Sequence, residues 1–220
     1  MQPTQPCLLC GARCGGGAGQ LCSGCVADLP RLPAVHCPIC AEPTVDGAIC
    51  GRCLKTPPAF ACTRAALVYA WPADGLIQRL KYGRELAIAP ALAELMASAV
   101  MDFSRPDALV PMPLHPQRMR ERGFNQAVEI ARPLARKIGV PLWLDAAKRL
   151  RDTPAQAGLA HDARLQNMRG AFVCDARVAG RRIALIDDVM TTGASLDALA
   201  RAALAAGAVT VEAWVVARTL

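Results

Sequence analysis

The chain changes its hydrophobic grammar near residue 57. Downstream, short apolar runs alternate with longer amphipathic ones. "AALVYAW", "DALVPMP", "RRIALIDDV" and "TVEAWVVA" read as strands, while "DGLIQRLKYG", "LAIAPALAELMASAVMDF", "FNQAVEIARPLARKIG" and "SLDALARAALAAGA" read as helices. Strands separated by helical stretches of about ten residues or more imply β-α-β crossovers, and hence a parallel sheet flanked by helices. "IALI" and "WVVA" are apolar without alternation, as expected of strands covered on both faces. Pro133 falls inside the third helical pattern and predicts a kink or an early stop.

Upstream there is no such periodicity, so residues 1–56 are expected to form a small domain and 57–220 the α/β domain. The junction "LKTPPAFACTR" is expected to be an extended linker, stiffened by Pro57 and Pro58. Of 11 cysteines, eight form four C-x-x-C pairs: Cys7/Cys10, Cys22/Cys25, Cys37/Cys40 and Cys50/Cys53. Two such turns can surround one tetrahedral Zn²⁺ with four thiolates, so four imply two structural zinc sites, a double zinc ribbon. Consecutive pairs are spaced to close their own sites, although a cross-braced pairing satisfies the same count. Disulfides would need an oxidising compartment, and a redox C-x-x-C normally occurs once. Cys14 and Cys62 are read as bystanders. A fully sulfur-ligated zinc has no open position for catalysis, and its removal should unfold residues 7–53.

Composition narrows the partners. The 220 residues are 53% hydrophobic, enough for one medium domain with an appendage. The longest apolar stretch, Leu86 to Met101, is broken by Pro90 and Glu94, and "MQPTQPCLLCG" has no secretory pattern. The expectation is a cytoplasmic protein without direct membrane insertion. Net charge is +7. Residues 1–60 hold four Lys+Arg (Arg13, Arg31, Arg52, Lys55) against three Asp+Glu (Asp28, Glu42, Asp46), or +1, which leaves +6 for residues 61–220. The α/β segment is therefore the one suited to anions. The ribbon is a poor phosphate tracker, and aromatic residues at 4% give no evident platform for stacking single strands.

In a parallel sheet, ligands bind beyond the carboxyl ends of the strands, so the residues that follow each strand carry the chemistry. "IALIDDVMTTGAS" (183–195) ends a buried strand on Asp187 and Asp188, then turns through Thr191, Thr192, Gly193 and Ser195 into a helix. Gly193 permits a tight bend, and the hydroxyls and first helical N–H groups make a phosphate-sized cradle. Carboxylates repel phosphate, so the two acids must hold something attached to it. A ribose 5-phosphate fits, with its 2′- and 3′-hydroxyls donating to the acids and Mg²⁺ sharing the charge. The stretch resembles the signature with which type I phosphoribosyltransferases bind 5-phosphoribosyl 1-diphosphate (PRPP). The resemblance assigns PRPP binding to Asp187, Asp188, Val189, Thr191, Thr192, Gly193, Ala194 and Ser195.

Two further stretches follow other strands. "VPMPLHPQRMRERGFNQA" (110–127) places Arg118, Arg120 and Arg122 where a second anion could lie, pyrophosphate in such a transferase, with Asn125 and Gln126 opening a helix. "KRLRDTPAQAGLAHDARLQNMRGAF" (148–172) mixes Arg149, Arg151, Arg164 and Arg169 with polar residues, and reads equally as a lid or as an ordinary exposed connection. His115 and His161 are candidates for a general base by residue type alone.

With the four cysteine pairs in front, and with "LIQRLKYG", "RDTPAQAGL" and "NMRGAF" in this order, nearly the whole chain resembles the ComF family of phosphoribosyltransferase-like proteins. The resemblance implies a type I phosphoribosyltransferase-like sheet preceded by a double zinc ribbon. It further implies a role in natural competence, with a helicase-like partner and import of single-stranded DNA. Arg118, Arg122, Gln126, Lys81 and Tyr82 are then expected on the pyrophosphate side. The alternative is a non-catalytic PRPP-binding module, or an adaptor of the DNA-uptake machinery that binds DNA or the helicase-like partner. The acceptor is not encoded in any motif.

Overall fold

The structure is a computed structural model and describes residues 5–14, 20–101, 103–151 and 170–220. Its centre is a four-stranded, all-parallel sheet of β3 (Thr63–Val68), β8 (Thr210–Arg218), β7 (Arg182–Met190) and β4 (Ala108–Pro111), in that spatial order. Between β3 and β4 the chain passes through α3 (Ala73–Gly83) and α4 (Ala89–Val100). Helices α5 (Pro116–Arg122) and α6 (Gln126–Ile138) follow β4, and α7 (Ala194–Ala205) joins β7 to β8. This is the expected parallel sheet flanked by helices.

Strand alternation divides the core in two. Ala184, Ile186, Trp214 and Val216 pack with α3, α4 and α6, whereas Ile183, Leu185, Ala213 and Val215 pack with α7. Both sets are buried, which explains the unbroken apolar runs. The same alternation places Asp188 on the α3 side, two residues beyond Ile186.

The cysteine knuckles sit against opposite layers. Residues around the first, Leu8, Leu9 and Leu21, pack on the α3 side, and Arg79 of α3 donates to the Leu8 carbonyl (2.5 Å). Cys37, Cys40 and Cys53 belong to the α7 side. Two short helices, α1 (Ser23–Ala27) and α2 (Gly51–Lys55), carry Cys25 and Cys53, and a two-residue hairpin, β1 (Gln5–Pro6) with β2 (Arg13–Cys14), flanks the first knuckle.

Several local expectations change. Helix α6 runs through Pro133 from Gln126 to Ile138, because Ile130, Leu134 and Ile138 bury one continuous face that outweighs a single missing hydrogen bond. The pattern expected to be helical over 86–103 begins as a 3₁₀ turn, Leu86–Ile88, and becomes α-helical at Ala89, where Pro90 suits a first turn. Helix α5 was not signalled by apolar periodicity and has no buried residue. A small antiparallel pair, β5 (Ala147–Arg149) with β6 (Phe172–Cys174), also escaped sequence reading. Most of the possible lid, with His161, Arg164, Arg169, "RDTPAQAGL" beyond Arg151 and the start of "NMRGAF", lies outside the described residues.

Candidate functional site

The carboxyl edge of the sheet gathers most of the residues singled out in the sequence. At the tip of β7, Asp188 is buried and Lys81 of α3 forms an ion pair with its Oδ2, the two side chains being 4% and 19% exposed. Helical and strand periods together make this meeting possible: α3 buries Ile77 and Leu80 on the layer that Asp188 faces, and Lys81 follows at its carboxyl end. Burial works against the Lys81 ammonium, but Asp188, with Asp187 beside it, outweighs this and raises its pKa. Asp187 is less enclosed and accepts from the Asp188 backbone N–H through Oδ1 (2.9 Å). Desolvation, followed by repulsion from Asp188, holds its carboxyl well above the ordinary aspartate range despite the attraction of Lys81. Two adjacent acids thus share one lysine, and the pair is poised to accept hydrogen bonds or a second positive charge.

The bend beyond the acids follows from Gly193. At φ +81° it occupies the left-handed region, where a Cβ would come within 2.7 Å of Met190 Cε. Gly193 caps α7 without a side-chain hydrogen bond at the cap position, and Thr192 Oγ1 accepts only a long contact from Ala194 N–H (3.4 Å). The first turn of a twelve-residue helix therefore faces the sheet edge with its N–H groups and the positive end of its dipole. Thr191 is exposed, Thr192, Ser195 and Val189 are half-buried, and Ala194 is buried.

The cationic side is built from α5 and α6. His115 and Gly123 cap α5, and Asn125 fixes its exit by donating to the Met112 carbonyl (2.9 Å) and accepting from Ala127 N–H (3.0 Å). Arg122 donates to Gln126 Oε1 (2.5 Å), and its guanidinium lies 5.7 Å from the Tyr82 ring centroid. Arg84 reaches the Glu121 carbonyl (3.3 Å). The end of α3, carrying Lys81 and Tyr82, is thereby tied to Arg122 and Gln126. Tyr82 is 75% exposed, so it flanks the site without sealing it. Arg118 is half-buried on α5 and Arg120 is exposed. His115 is occupied locally, its Nδ1 accepting from Gln117 N–H (3.4 Å).

Two buried ionic residues, Asp197 and Arg218, belong to none of the sequence motifs. Asp197, in the first turn of α7, accepts from Ala59 N–H (2.6 Å) and from Arg201 Nε (3.0 Å), joining the junction segment to the helix. Arg218 ends β8 and is 2% exposed. Its Nη1 donates to the carbonyls of Met190 (3.3 Å), Thr191 (2.6 Å) and Thr219. Its signal in the sequence is its place directly after the apolar run "WVVA", as Asp187 follows "IALI".

The cysteines separate into two groups, Cys7/Cys10/Cys22/Cys25 and Cys37/Cys40/Cys50/Cys53, with the sulfur atoms of each group all within 4.8 Å of one another. Consecutive knuckles therefore close together, and the cross-braced alternative is excluded. The donors fit Zn²⁺. Burial opposes the Cys7 thiolate, but N–H groups of Cys10, Cys22 and Leu9 outweigh it and lower the pKa to about 5. Cys37 falls to about 7, with burial again opposing and N–H groups of Cys50, Cys40 and Ile39 prevailing. Cys25 is pushed up, chiefly by Cys22 and Cys10, the crowding that a shared cation relieves. Among the described residues, no helix is long and apolar enough to cross a membrane.

Comparison with known proteins places these features in context. The chain is 34% identical over 221 residues to the DNA utilization protein YhgH of Shigella flexneri, covering 97% of both chains. It is 33% identical to competence protein F of Haemophilus influenzae, covering 96% of both. A solved structure of the allosteric regulatory enzyme of purine biosynthesis aligns with 56% of this chain and 24% of its own at 18% identity, with a TM-score of 0.38. No protein-family model matches the chain.

Proposed function

Since the chain belongs to the ComF family of competence and DNA-utilization proteins, we propose that it binds PRPP at the carboxyl edge of its sheet and transfers the phosphoribosyl group to an acceptor. The observation that carries this reading is the adjacency, on one strand-turn-helix unit, of a lysine-compensated acid pair and a helix start whose cap residue, Gly193, makes no side-chain hydrogen bond. The 5-phosphate takes the Thr191–Ser195 bend, and the ribose hydroxyls donate to Asp187 and Asp188. Pyrophosphate lies toward Lys81, Arg118 and Arg122, with Gln126 and Tyr82 behind. Asp187 is the oxygen donor that fits Mg²⁺, because Asp188 is engaged by Lys81. Mg²⁺ bound with the diphosphate supplies charge neutralisation to the leaving group.

In the transfer, the bond from ribose C1 to the diphosphate oxygen breaks with its electron pair leaving on pyrophosphate. The lone pair of the acceptor's nucleophilic atom forms the new bond to C1, and the proton on that atom then passes to solvent. The protein's share is positioning, together with cations placed where negative charge develops.

A second reading, a PRPP-binding module that regulates a helicase-like partner or single-stranded DNA during uptake, is favoured by one observation. Among the described residues at this edge, the histidine of the pyrophosphate stretch, His115, serves as a helix cap. The test combines zinc-loaded protein, Mg²⁺, PRPP and a panel of nucleobases and amines, and measures pyrophosphate. Acceptor-dependent release lost in Asp187→Asn/Asp188→Asn supports transfer. Saturable binding without turnover supports the module, and salt-dependent retention of single-stranded DNA in a gel assigns its partner. Absence of both binding and turnover refutes either version.

A further inference from the structure

Arg218 connects two places that the sequence treats separately. From the end of β8 its Nη1 holds the carbonyls of Met190, the last residue of β7, and Thr191, the first of the T-T-G bend. Its Nε donates to the Cys40 carbonyl (3.1 Å), and its Nη2 to Glu42 Oε2 (2.7 Å). Cys40 belongs to the second four-cysteine group. A guanidinium is a planar fork with fixed donor directions, so a shift on one side of it is felt on the other. The contact is reinforced by packing. Cys53, Phe60, Met190 and Gly193 line one cleft, and a Cβ built on Gly193 would meet Phe60 as well as Met190. The first group has a different neighbour, since it joins α3 through Leu8 and Arg79.

We propose that Arg218 is a positioning residue that couples the second four-cysteine knuckle to the phosphate bend, so that a ligand in the bend tightens that knuckle's hold on zinc and leaves the first knuckle unaffected. The proposal rests on the PRPP reading above. Coupling between two sites is reciprocal: if an ordered knuckle presents the Met190 and Thr191 backbone correctly to the ligand, the ligand must favour the ordered knuckle by the same factor. Order in the knuckle is what retains its metal.

The experiment follows zinc release to a chromogenic chelator from the full-length, zinc-loaded protein, with and without Mg²⁺-PRPP. Cys10→Ser, which impairs the first group, identifies the phase belonging to the second. Calorimetry on the same samples establishes whether PRPP binds. The expected result is release from the second group slowed at least about fivefold by PRPP, the lower end of common coupling strengths, with the first phase unchanged. Arg218→Lys keeps the charge but cannot span both sets of acceptors, and Glu42→Gln weakens one anchor at a half-exposed position; both should hold two zincs and lose most of this protection. If PRPP binds and leaves the second phase unchanged, or protects wild type and both variants equally, the coupling is wrong and the proposed function stands. If PRPP does not bind, the underlying reading fails and the coupling fails with it.

Discussion

Replacing Lys81 with Met keeps most of the side chain's volume and removes the cation that faces Asp188. The aspartate side chain is 4% exposed, so a carboxylate left there has little water to replace its partner. Breaking such a buried pair from one side costs about 3–5 kcal/mol, and the 19% exposure of Lys81 argues for about 3. With a urea m-value of about 2–3 kcal/mol/M for a chain of this size, the unfolding midpoint at pH 7 should fall by about 1 M, with zinc bound throughout. Because the penalty belongs to the charged acid, Asp188→Asn in the Lys81→Met background should recover most of the loss. The double-mutant cycle should then show a coupling of about 2 kcal/mol. A Lys81→Met protein within about 0.5 kcal/mol of wild type at pH 7, or a cycle with no coupling, would refute the ion pair as the support of the acid tip.

Other outcomes follow from the same geometry. Asp187 has a folded pKa above its unfolded value, so its contribution to stability is complete below the ordinary aspartate range and is lost as pH rises through the raised value. Asp187→Asn should therefore gain stability relative to wild type as pH rises above the ordinary aspartate range, about 4, and a pH-independent difference in urea unfolding would contradict this. Gly193→Ala forces a side chain into the left-handed region at about 1–2 kcal/mol and displaces Met190; it should lower the melting temperature and weaken PRPP binding together. Elemental analysis should find two zincs per chain, and chelation should raise amide exchange across 7–53 while the centre of β8 stays protected.

The sheet was legible because its strands are buried on both faces, and no polar residue interrupts "IALI" or "WVVA". The cysteine sites were legible because C-x-x-C spacing is itself a ligand geometry, although spacing left the pairing open. Helix α5 was hidden because "PQRMRER" buries nothing and owes its form to its caps, His115 and Gly123. Pro133 misled because a local rule was set against a buried helical face, and the face prevailed. At the site, each acid and each arginine could be nominated separately. That Lys81 meets Asp188, or that Arg218 spans Cys40 and Thr191, depends on which layer each element packs against. One-dimensional spacing does not carry that information.

The most direct measurement is calorimetric titration of Mg²⁺-PRPP into the zinc-loaded protein beside its Asp187→Asn/Asp188→Asn variant. A saturable isotherm with about one ligand per chain and a dissociation constant below about 1 mM, abolished in the variant, is the expected result. Absence of binding at millimolar PRPP to folded, fully metallated protein, or equal binding by the variant, would contradict the account.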